Sequence, residues 1–384
     1  MQRNMIATHS VIVSSVFGIF LMGSMQVHAD GFRTKVEYSN LHDSNFSRSN
    51  DDDESEAINM LSANANYSDT YSRQRFMLSM TFNSLAYDVN ESLDSSYATG
   101  VFEWTGEFAE SFLFDVDAKR DAYAVDPLEY KGKDIVARDE FAGKIGFGSR
   151  DALSFFVGGR KIDQDHGADE RDGFNFEDES VFIEAIVKSA KGWEQTVTLS
   201  NGDRGYVDNV NDAGRSLDFD FRQYAYDARL KTENDSFFSL GAARFERSGE
   251  LNSDAGTQFN GRMLWYFRPK LALKMGFQLN EPAIGEEADS LVRIETSTVG
   301  IHWQLSELWA VGSEYVYADE TYSVNNGFSI REETLERFRP LTLTYLSEHW
   351  LSAKLEFELY DRNSSDYFRT YNGEKINFTV SASF

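Results

Sequence analysis

The chain has 384 residues, a formal net charge of -26, 27 Gly, only 4 Pro and no Cys. The lack of Cys excludes disulfide scaffolds, Cys-ligated metal sites and Cys nucleophiles. The strong negative charge argues against nucleic acid as a partner, because phosphate binding needs clustered Lys and Arg. Aromatic residues make up 14% of the chain and argue against disorder. A single long apolar run, at the N-terminus, excludes a helical membrane bundle.

Residues 1–29 have the pattern of a secretory signal peptide. A weakly positive start with Arg3 is followed by an uncharged apolar run, and then by compact Val27 and small Ala29 at the positions that precede a cleavage site. The run is too short to span a bilayer comfortably, so we prefer cleavage after Ala29 to the alternative of a membrane-anchoring helix. We therefore expect a mature chain that begins near Asp30 and forms one domain over residues 30–384.

The mature chain alternates apolar and polar residues from end to end, which is the period of a β-strand. In the last ten residues, for example, Ile376, Phe378 and Val380 alternate with polar side chains. About eighteen such segments follow one another, although sixteen is also possible. Pro340 interrupts one of them and predicts a bulge. The predicted segments start near residues 31, 57, 72, 96, 109, 131, 152, 177, 193, 216, 235, 256, 271, 291, 308, 332, 350 and 370.

The connections between these segments alternate in length. Short turns are predicted at 68–71, 107–110, 149–151, 190–192, 232–235, 268–270, 306–307 and 347–349. Long polar loops are predicted at 42–56, 88–95, 122–130, 163–176, 201–215, 248–255, 280–289, 319–330 and 361–369. This rhythm is typical of an outer-membrane barrel, and a secreted sandwich would not produce it. We predict an all-β fold, a transmembrane antiparallel up-and-down β-barrel in the outer membrane of a Gram-negative bacterium.

A closed barrel explains how a chain of hydrophilic average composition can cross lipid. Every backbone N–H and C=O finds a partner in the closed sheet, while the inside stays wet. Aromatic residues near strand ends predict an interfacial girdle on the lipid side. These residues are Tyr67, Tyr71, Tyr87, Trp104, Phe108, Trp193, Trp265, Phe267, Trp303, Trp309, Tyr345 and Trp350.

The polar face of the strands is expected to line a water-filled lumen. Its charges are mixed in sign, which suits a hydrophilic solute, although for any single residue we prefer the alternative that it pairs with its neighbours and only hydrates the wall. The predicted pore-lining residues are Arg33, Lys35, Glu37, Arg75, Asp115, Asp117, Lys119, Arg138, Glu140, Lys144, Arg160, Glu184, Lys188, Asp218, Asp220, Arg222, Arg262, Lys274, His302, Glu314, Lys354, Glu356 and Glu358. Tyr224, Tyr226 and Tyr266 are candidate stacking surfaces for such a solute.

The sequence contains no specific catalytic motif. No HExxH, GxSxG or phosphate-binding loop is present, and no loop has the spacing of a calcium-binding EF-hand. His302 is retained as the one candidate base of a barrel enzyme. We therefore expect a protein that is not an enzyme, with no cofactor and no metal. The acidic loops keep the rim soluble or hold divalent cations that bridge to lipopolysaccharide phosphates.

Two segments carry a likeness to a known family. The first is Thr34-Lys35-Val36-Glu37-Tyr38, then Asp43-Ser44-Asn45-Phe46-Ser47-Arg48-Ser49 and the acidic stretch Asp51-Asp52-Asp53-Glu54-Ser55-Glu56. The second is Tyr360-Asp361-Arg362-Asn363-Ser364-Ser365-Asp366, followed by the closing strand. Together they resemble the β-barrel porin family encoded in exopolysaccharide biosynthesis operons.

The resemblance implies a channel that assists export of a secreted exopolysaccharide, with that polysaccharide as cargo and periplasmic polysaccharide export proteins as partners. The alternative is a general or nutrient-uptake porin for small hydrophilic solutes, and a barrel enzyme or a plugged structural barrel are further alternatives. A closing strand that ends on Phe384 also resembles that of outer-membrane barrels, whose terminal Phe is read by the barrel assembly machinery. Outer-membrane lipid and lipopolysaccharide are the expected surroundings.

Overall fold

A computed structural model describes residues 31–49, 54–108, 111–207, 214–251, 253–284, 290–324, 329–347 and 350–384. The predicted signal peptide, residues 1–29, lies outside these ranges. The strands are β1 (Phe32–Asp43), β2 (Glu56–Tyr71), β3 (Gln74–Tyr87), β4 (Ser95–Phe108), β5 (Phe112–Ala124), β6 (Ile135–Gly148), β7 (Leu153–Asp165), β8 (Phe176–Lys188), β9 (Trp193–Tyr206), β10 (Phe219–Lys231), β11 (Phe237–Gly249), β12 (Ala255–Arg268), β13 (Leu271–Ile284), β14 (Ser290–Gln304), β15 (Trp309–Val324), β16 (Ser329–Leu346), β17 (Leu351–Ser364) and β18 (Tyr371–Ser383).

These strands form one closed barrel. Each strand pairs antiparallel with the next along the chain, and β18 pairs with β1 to complete an 18-stranded ring. With strands about 4.8 Å apart and tilted by about 40°, such a ring is roughly 35 Å across between backbones. Extensive contacts between strands join neighbours in the ring. The predicted fold class and the count of eighteen strands are confirmed, and the alternative of sixteen is wrong.

The predicted strand starts differ little from the observed ones. The largest difference is at β6, predicted from residue 131 and observed from Ile135. The long hairpin of β15 and β16 runs further than predicted, because its polar upper part was assigned to a loop although it keeps its ladder of hydrogen bonds. The predicted bulge at Pro340 is confirmed by a register shift between Phe338 and Leu341.

The longer connections all lie at one end of the barrel, which we call the long-loop end, and the short turns lie at the other. The described parts of the longer connections contain three short 3-10 helices, at Glu91–Leu93, Asp169–Phe174 and Tyr367–Arg369. Among the residues that the structure describes, no helix is long and apolar enough to cross a membrane.

The two faces of the wall differ in chemistry, and the difference identifies the inner face. One face carries apolar side chains such as Met80, which is 56% exposed. On the opposite face, ion pairs reach over an intervening strand. Lys144 of β6 contacts Glu184 of β8, with 2.6 Å between Nζ and Oε1, and Lys274 of β13 contacts Glu314 of β15. Side chains converge on the concave side of a curved sheet, so this charged face is the inner one.

Aromatic residues lie on the outer face beside the short turns. Tyr71, Trp193 and Trp303 are all exposed there, as in the belts that membrane barrels place at an interface. Tyr87 was wrongly included in this group. It lies on the inner face at the long-loop end, where its ring packs against Phe46 at 5.6 Å. Alternation along β3 puts Tyr87 on the same side as Thr81 and Asn83, not with the outward apolar residues.

Candidate functional site

The inner face is the candidate functional surface. The strand register places on it all the predicted pore-lining residues except three: Arg33, Lys35, Glu37, Arg75, Asp115, Asp117, Lys119, Arg138, Glu140, Lys144, Arg160, Glu184, Lys188, Arg262, Lys274, His302, Glu314, Lys354, Glu356 and Glu358. That they line a conducting pore stays a prediction.

Two of the exceptions, Asp220 and Arg222, lie on the outer face of β10. Phe219 and Phe221, which alternate with them, are buried on the inner face. The third exception, Asp218, precedes the strand, and its carboxylate accepts the backbone N–H of Tyr206 at 2.9 Å. Asp220 and Arg222 were therefore predicted wrongly as lining residues.

The reason for this error is in the sequence of β10. It holds two sets of aromatic residues of opposite parity, so alternation alone does not say which set faces inward. Packing of Phe219 and Phe221 decides the matter, and Tyr224 and Tyr226 then point outward, where they are 45% and 39% exposed. These two tyrosines are not lumen stacking surfaces, whereas Tyr266 is on the inner face.

Charged side chains on the inner face of β5 to β8 form one connected group. Lys144 lies between two carboxylates, 2.6 Å from Glu184 and 3.5 Å from Asp115. Arg150, in the short turn between β6 and β7, also contacts Asp115, with 2.5 Å between Nη2 and Oδ1. The charges largely neutralise each other, and the side chains are fixed against the wall.

A second charged group lies across the lumen, on β13 to β17. Arg339 is at its centre and contacts Glu358 at 2.6 Å, Glu314 at 3.3 Å and Glu356 at 3.7 Å. Lys354 also contacts Glu356, at 2.8 Å. Arg339 was not among the predicted lining residues, because the bulge at the next residue interrupts the alternation on which that prediction depended.

Between these charged groups, the inner face of β2 and β3 carries several neutral hydrogen-bonding side chains. On β2 and β3, Ser62 donates to Asn83 at 2.6 Å and Asn64 donates to Thr81 at 2.7 Å. Amide and hydroxyl groups of this kind both donate and accept hydrogen bonds, so they can exchange water for the hydroxyls of a solute.

Several inner-face arginines are not neutralised. Within the described ranges, no carboxylate forms an ion pair with Arg138, Arg229, Arg262 or Arg337. Their guanidinium groups each carry five donors in a planar fork that fits a carboxylate or phosphate. The net charge of -26 therefore coexists with an inner face that carries guanidinium groups without an ion-pair partner in the described ranges.

The first long loop is fixed inside the long-loop end by Arg48. Its side chain is 6% exposed, and it contacts Asp43 at 2.8 Å, the Tyr360 hydroxyl at 3.0 Å and Asp126 of the loop between β5 and β6 at 3.5 Å. Burial alone would lower the pKa of Arg48, but the carboxylates of Asp126 and Asp43 outweigh it and raise that pKa above its usual value. Residues 44–49 are thereby held against the wall.

Two further long loops are joined by the buried carboxylate of Asp134. This group lies 2.7 Å from Nδ1 of His166 and accepts the backbone N–H groups of Gly167 and Ala168 at 2.8 and 3.2 Å. Arg171 contacts the same carboxylate at 3.4 Å. The loop between β5 and β6 and the loop between β7 and β8 therefore form one unit at the long-loop end.

The inner face of β7 to β10 is aromatic at the long-loop end. A cluster of buried residues consists of Ile162, Phe176, Tyr206, Leu217, Phe219, Phe221 and Leu251. Two arginines pack on its rings and pair with acids: Arg204 contacts Asp178 and Arg247 contacts Asp254, both at 2.6 Å. This cluster narrows one side of the long-loop end without exposing its rings.

Glu333 lies at the centre of a group of arginines on the inner face of β15 to β17, also at the long-loop end. Its side chain is 1% exposed and is contacted by Arg362, by Arg369 at 2.8 Å and by Arg331 at 2.9 Å. Arg362 also contacts Glu320 at 2.9 Å. Glu333 was not predicted, and Arg48 was named only within the family-like segment, because the roles of both depend on partners far away in the chain.

The structure brings no catalytic group together with His302. The imidazole is exposed on the inner face of β14, and no described side chain lies within hydrogen-bond distance of it. No cluster of three or more His, Cys, Asp or Glu in the described part of the chain has the geometry of a metal site.

No protein-family model matches this chain, and no curated protein is similar to it. Solved structures do match it over nearly its whole length. OccK2 (OpdF) of Pseudomonas aeruginosa has a TM-score of 0.54 at 7% identity, with 92% of this chain and 97% of that chain covered, and it has also been solved in complex with glucuronate.

The outer membrane protein opdK of Pseudomonas aeruginosa has a TM-score of 0.53 at 9% identity, over 92% of this chain and 98% of that chain. OccAB3 of Acinetobacter baumannii has a TM-score of 0.53 at 5% identity, over 93% and 99%. At such identities the likeness shows the fold, which is that of outer-membrane porins. It does not support the exopolysaccharide family that the sequence resembles.

Proposed function

We propose that this protein is an outer-membrane channel through which small hydrophilic solutes enter the cell by diffusion. The observation that carries the proposal is the closed ring of strands around a wall of charged and hydrogen-bonding side chains. An apolar outer face suits lipid, and a polar inner face suits a water-filled path. We likewise propose the Gram-negative outer membrane as its location and the barrel assembly machinery as the route of insertion.

Uptake is preferred to polysaccharide export for two reasons. The export hypothesis depended on the family resemblance, whereas the solved structures with the same fold are porins of another group. In addition, the ordered loops at the long-loop end occupy part of its cross-section: residues around Arg48, Asp134 and His166 are buried there. A narrowed mouth suits a small solute better than a continuous polymer.

Solutes with a carboxylate and several hydroxyls fit the inner face best. The unpaired guanidinium groups of Arg138, Arg262 and Arg337 attract the carboxylate, and the neutral Ser and Asn side chains of β2 and β3 exchange hydrogen bonds with hydroxyls. Glucuronate, which is bound in the solved complex of OccK2, has this chemistry and is a suitable probe.

The test is solute entry into proteoliposomes that contain the purified protein, together with single-channel conductance in planar bilayers. We expect conductance, and faster entry of glucuronate and of monosaccharides than of dextran. A barrel without conductance would contradict the proposal. Loss of secreted polysaccharide on gene deletion, without any defect in small-solute entry, would instead favour the export hypothesis.

A further inference from the structure

The outer face of β3 to β9 carries two shallow grooves that meet at one side chain. The first groove, about 420 Å³, has a floor of small residues, Ala98, Gly100 and Ala118. The second, about 550 Å³, has a floor made by Gly143 and Gly159, which face each other on β6 and β7. The two depressions adjoin each other on neighbouring strands.

Phe141 is the ridge that separates the two grooves, and it lines both. Its ring is 58% exposed on the outer face. Directly opposite it in the strand register is Lys161, which also lines both grooves. Arg120 is paired in register with Gly100 at the head of the first groove. The two grooves therefore meet beside two cations, and the carboxylates of Asp139 and Asp163 in the first groove and of Glu179 and Asp203 in the second line them at that level.

The change from apolar to charged side chains occurs at this level of the wall. Below it, the outer face of β6 carries Ile145 and Phe147, both more than half exposed. Above it, Arg120 contacts Asp139 at 3.0 Å, and Lys161 contacts Glu177. Such a boundary marks the edge of the hydrocarbon region on the long-loop side of a membrane barrel.

We propose that this surface is a binding site for one phosphorylated glycolipid of the lipopolysaccharide type, with acyl chains in the two grooves on either side of Phe141 and a phosphate at Arg120 and Lys161. The choice of leaflet rests on the proposed function. In an outer-membrane channel the long-loop side faces the outer leaflet, where such lipids are found. Guanidinium and ammonium groups are the side chains that bind phosphate best.

The acidic residues nearby shape the expected binding conditions. Asp139, Asp163, Glu177 and Glu179 contact the two cations and outnumber them, so the cluster as a whole is negative. We therefore expect the phosphates to bind together with their own Mg²⁺ counter-ions, because Mg²⁺ is readily shared between carboxylates and phosphates. Binding should be strongest in buffer that contains Mg²⁺ and weaker after chelation.

The test is native mass spectrometry of the full-length protein, stripped of lipid in detergent and incubated with purified lipopolysaccharide and Mg²⁺. Gly143→Leu combined with Gly159→Leu fills the second groove. A β-carbon at Gly143 meets nothing within 4 Å and one at Gly159 only Ser180 O at 3.5 Å, so folding should be retained. The matched control is Gly261→Leu, at an outer-face glycine of β12 with equally open surroundings.

We expect the double substitution, and separately Arg120→Ala with Lys161→Ala, to lower the population with one bound lipopolysaccharide by about fivefold, a change of roughly 1 kcal/mol. Gly261→Leu should leave that population unchanged, and so should Arg244→Ala, at an outer-face arginine of β11 that contacts Glu246 at 2.9 Å. Equal binding by all variants would overturn the proposal, and so would a preference for phosphatidylethanolamine at the same residues. Conductance is measured on the same preparations. A failure of the lipid-binding proposal with normal conductance is thereby distinguished from a failure of the proposed channel function.

Discussion

The guanidinium of Arg48 lies 2.8 Å from the carboxylate of Asp43, and both side chains are almost fully buried at the long-loop end of the barrel. Arg48 holds a backbone φ of 55°, a left-handed conformation that is uncommon for a residue with a side chain. The contact therefore offsets backbone strain in the first loop. It also links that loop to β17, because the Tyr360 hydroxyl donates to the same carboxylate at 2.6 Å.

Removing this contact should destabilise the barrel and free the first loop. Arg48→Ala leaves the carboxylate of Asp43 buried with fewer partners, which costs about 3 kcal/mol or more of unfolding free energy. Urea unfolding in detergent measures the loss. The control is Lys231→Ala, whose ion pair with Asp235 is largely exposed and should contribute about 0–1 kcal/mol. Similar losses in the two variants would contradict the role given to Arg48.

Arg262 and Arg222 test the assignment of the two faces. Arg262 projects inward from β12 without an ion pair in the described ranges, whereas Arg222 projects outward from β10. We expect Arg262→Ala to shift the reversal potential in a salt gradient towards cation selectivity, because a fixed positive charge in the pore attracts anions. Arg222→Ala should leave the reversal potential unchanged. A shift of the reversal potential in Arg222→Ala, without one in Arg262→Ala, would instead favour the inward assignment of Arg222.

Asp134 is expected to hold two long loops closed. Its carboxylate is fully buried and receives hydrogen bonds from the backbone of Gly167 and Ala168. Asp134→Ala removes the acceptor, so both loops should open and trypsin should cut at Lys131 and Lys133 faster than in the parent protein. Asp169→Ala, at an exposed residue of the same unit, is the control. Unchanged digestion after Asp134→Ala would show that other contacts hold the loops.

The contact between Tyr130 and Glu170 predicts a dependence on pH. The Tyr130 hydroxyl donates to Glu170 at 3.0 Å. The pKa of Glu170 is held below its usual value chiefly by a hydrogen bond that its carboxylate accepts from the backbone N–H of Glu170 itself. The hydrogen bond from Tyr130 is the second cause. Because the pKa of Glu170 is lowered when the loops are closed, its ionised carboxylate stabilises the closed loops at pH values above the ordinary Glu pKa of about 4.3. This stabilisation is lost as the pH falls below that value and Glu170 becomes protonated.

Spin labelling at Asp169→Cys measures this effect cleanly, because the chain has no native Cys. We expect the mobility of the label to rise as the pH is lowered from about 6 to about 3. Tyr130→Phe should make the loops more mobile at the higher pH and reduce the change between the two. A pH response of the same size in both proteins would rule out this contact as its cause.

The sequence alone was enough to define the barrel and most of its inner face. In β17, Lys354, Glu356 and Glu358 alternate with Leu355 and Phe357, and the structure places the two sets on opposite sides of the wall. Alternation is a local property of an extended chain, so it can be read without knowing the neighbouring strands. The same locality explains why the strand starts were predicted within a few residues.

Tertiary structure decided what local alternation leaves open. In β10 two aromatic pairs of opposite parity compete, and only packing with β9 and β11 turns Phe219 inward and Asp220 outward. The contacts of Arg48 with Tyr360 and of Asp134 with His166 join residues distant in the chain, so no local pattern contains them. The chain therefore determines by itself which residues alternate, while the meeting of distant loops and strands determines which side chains narrow the mouth and face a solute.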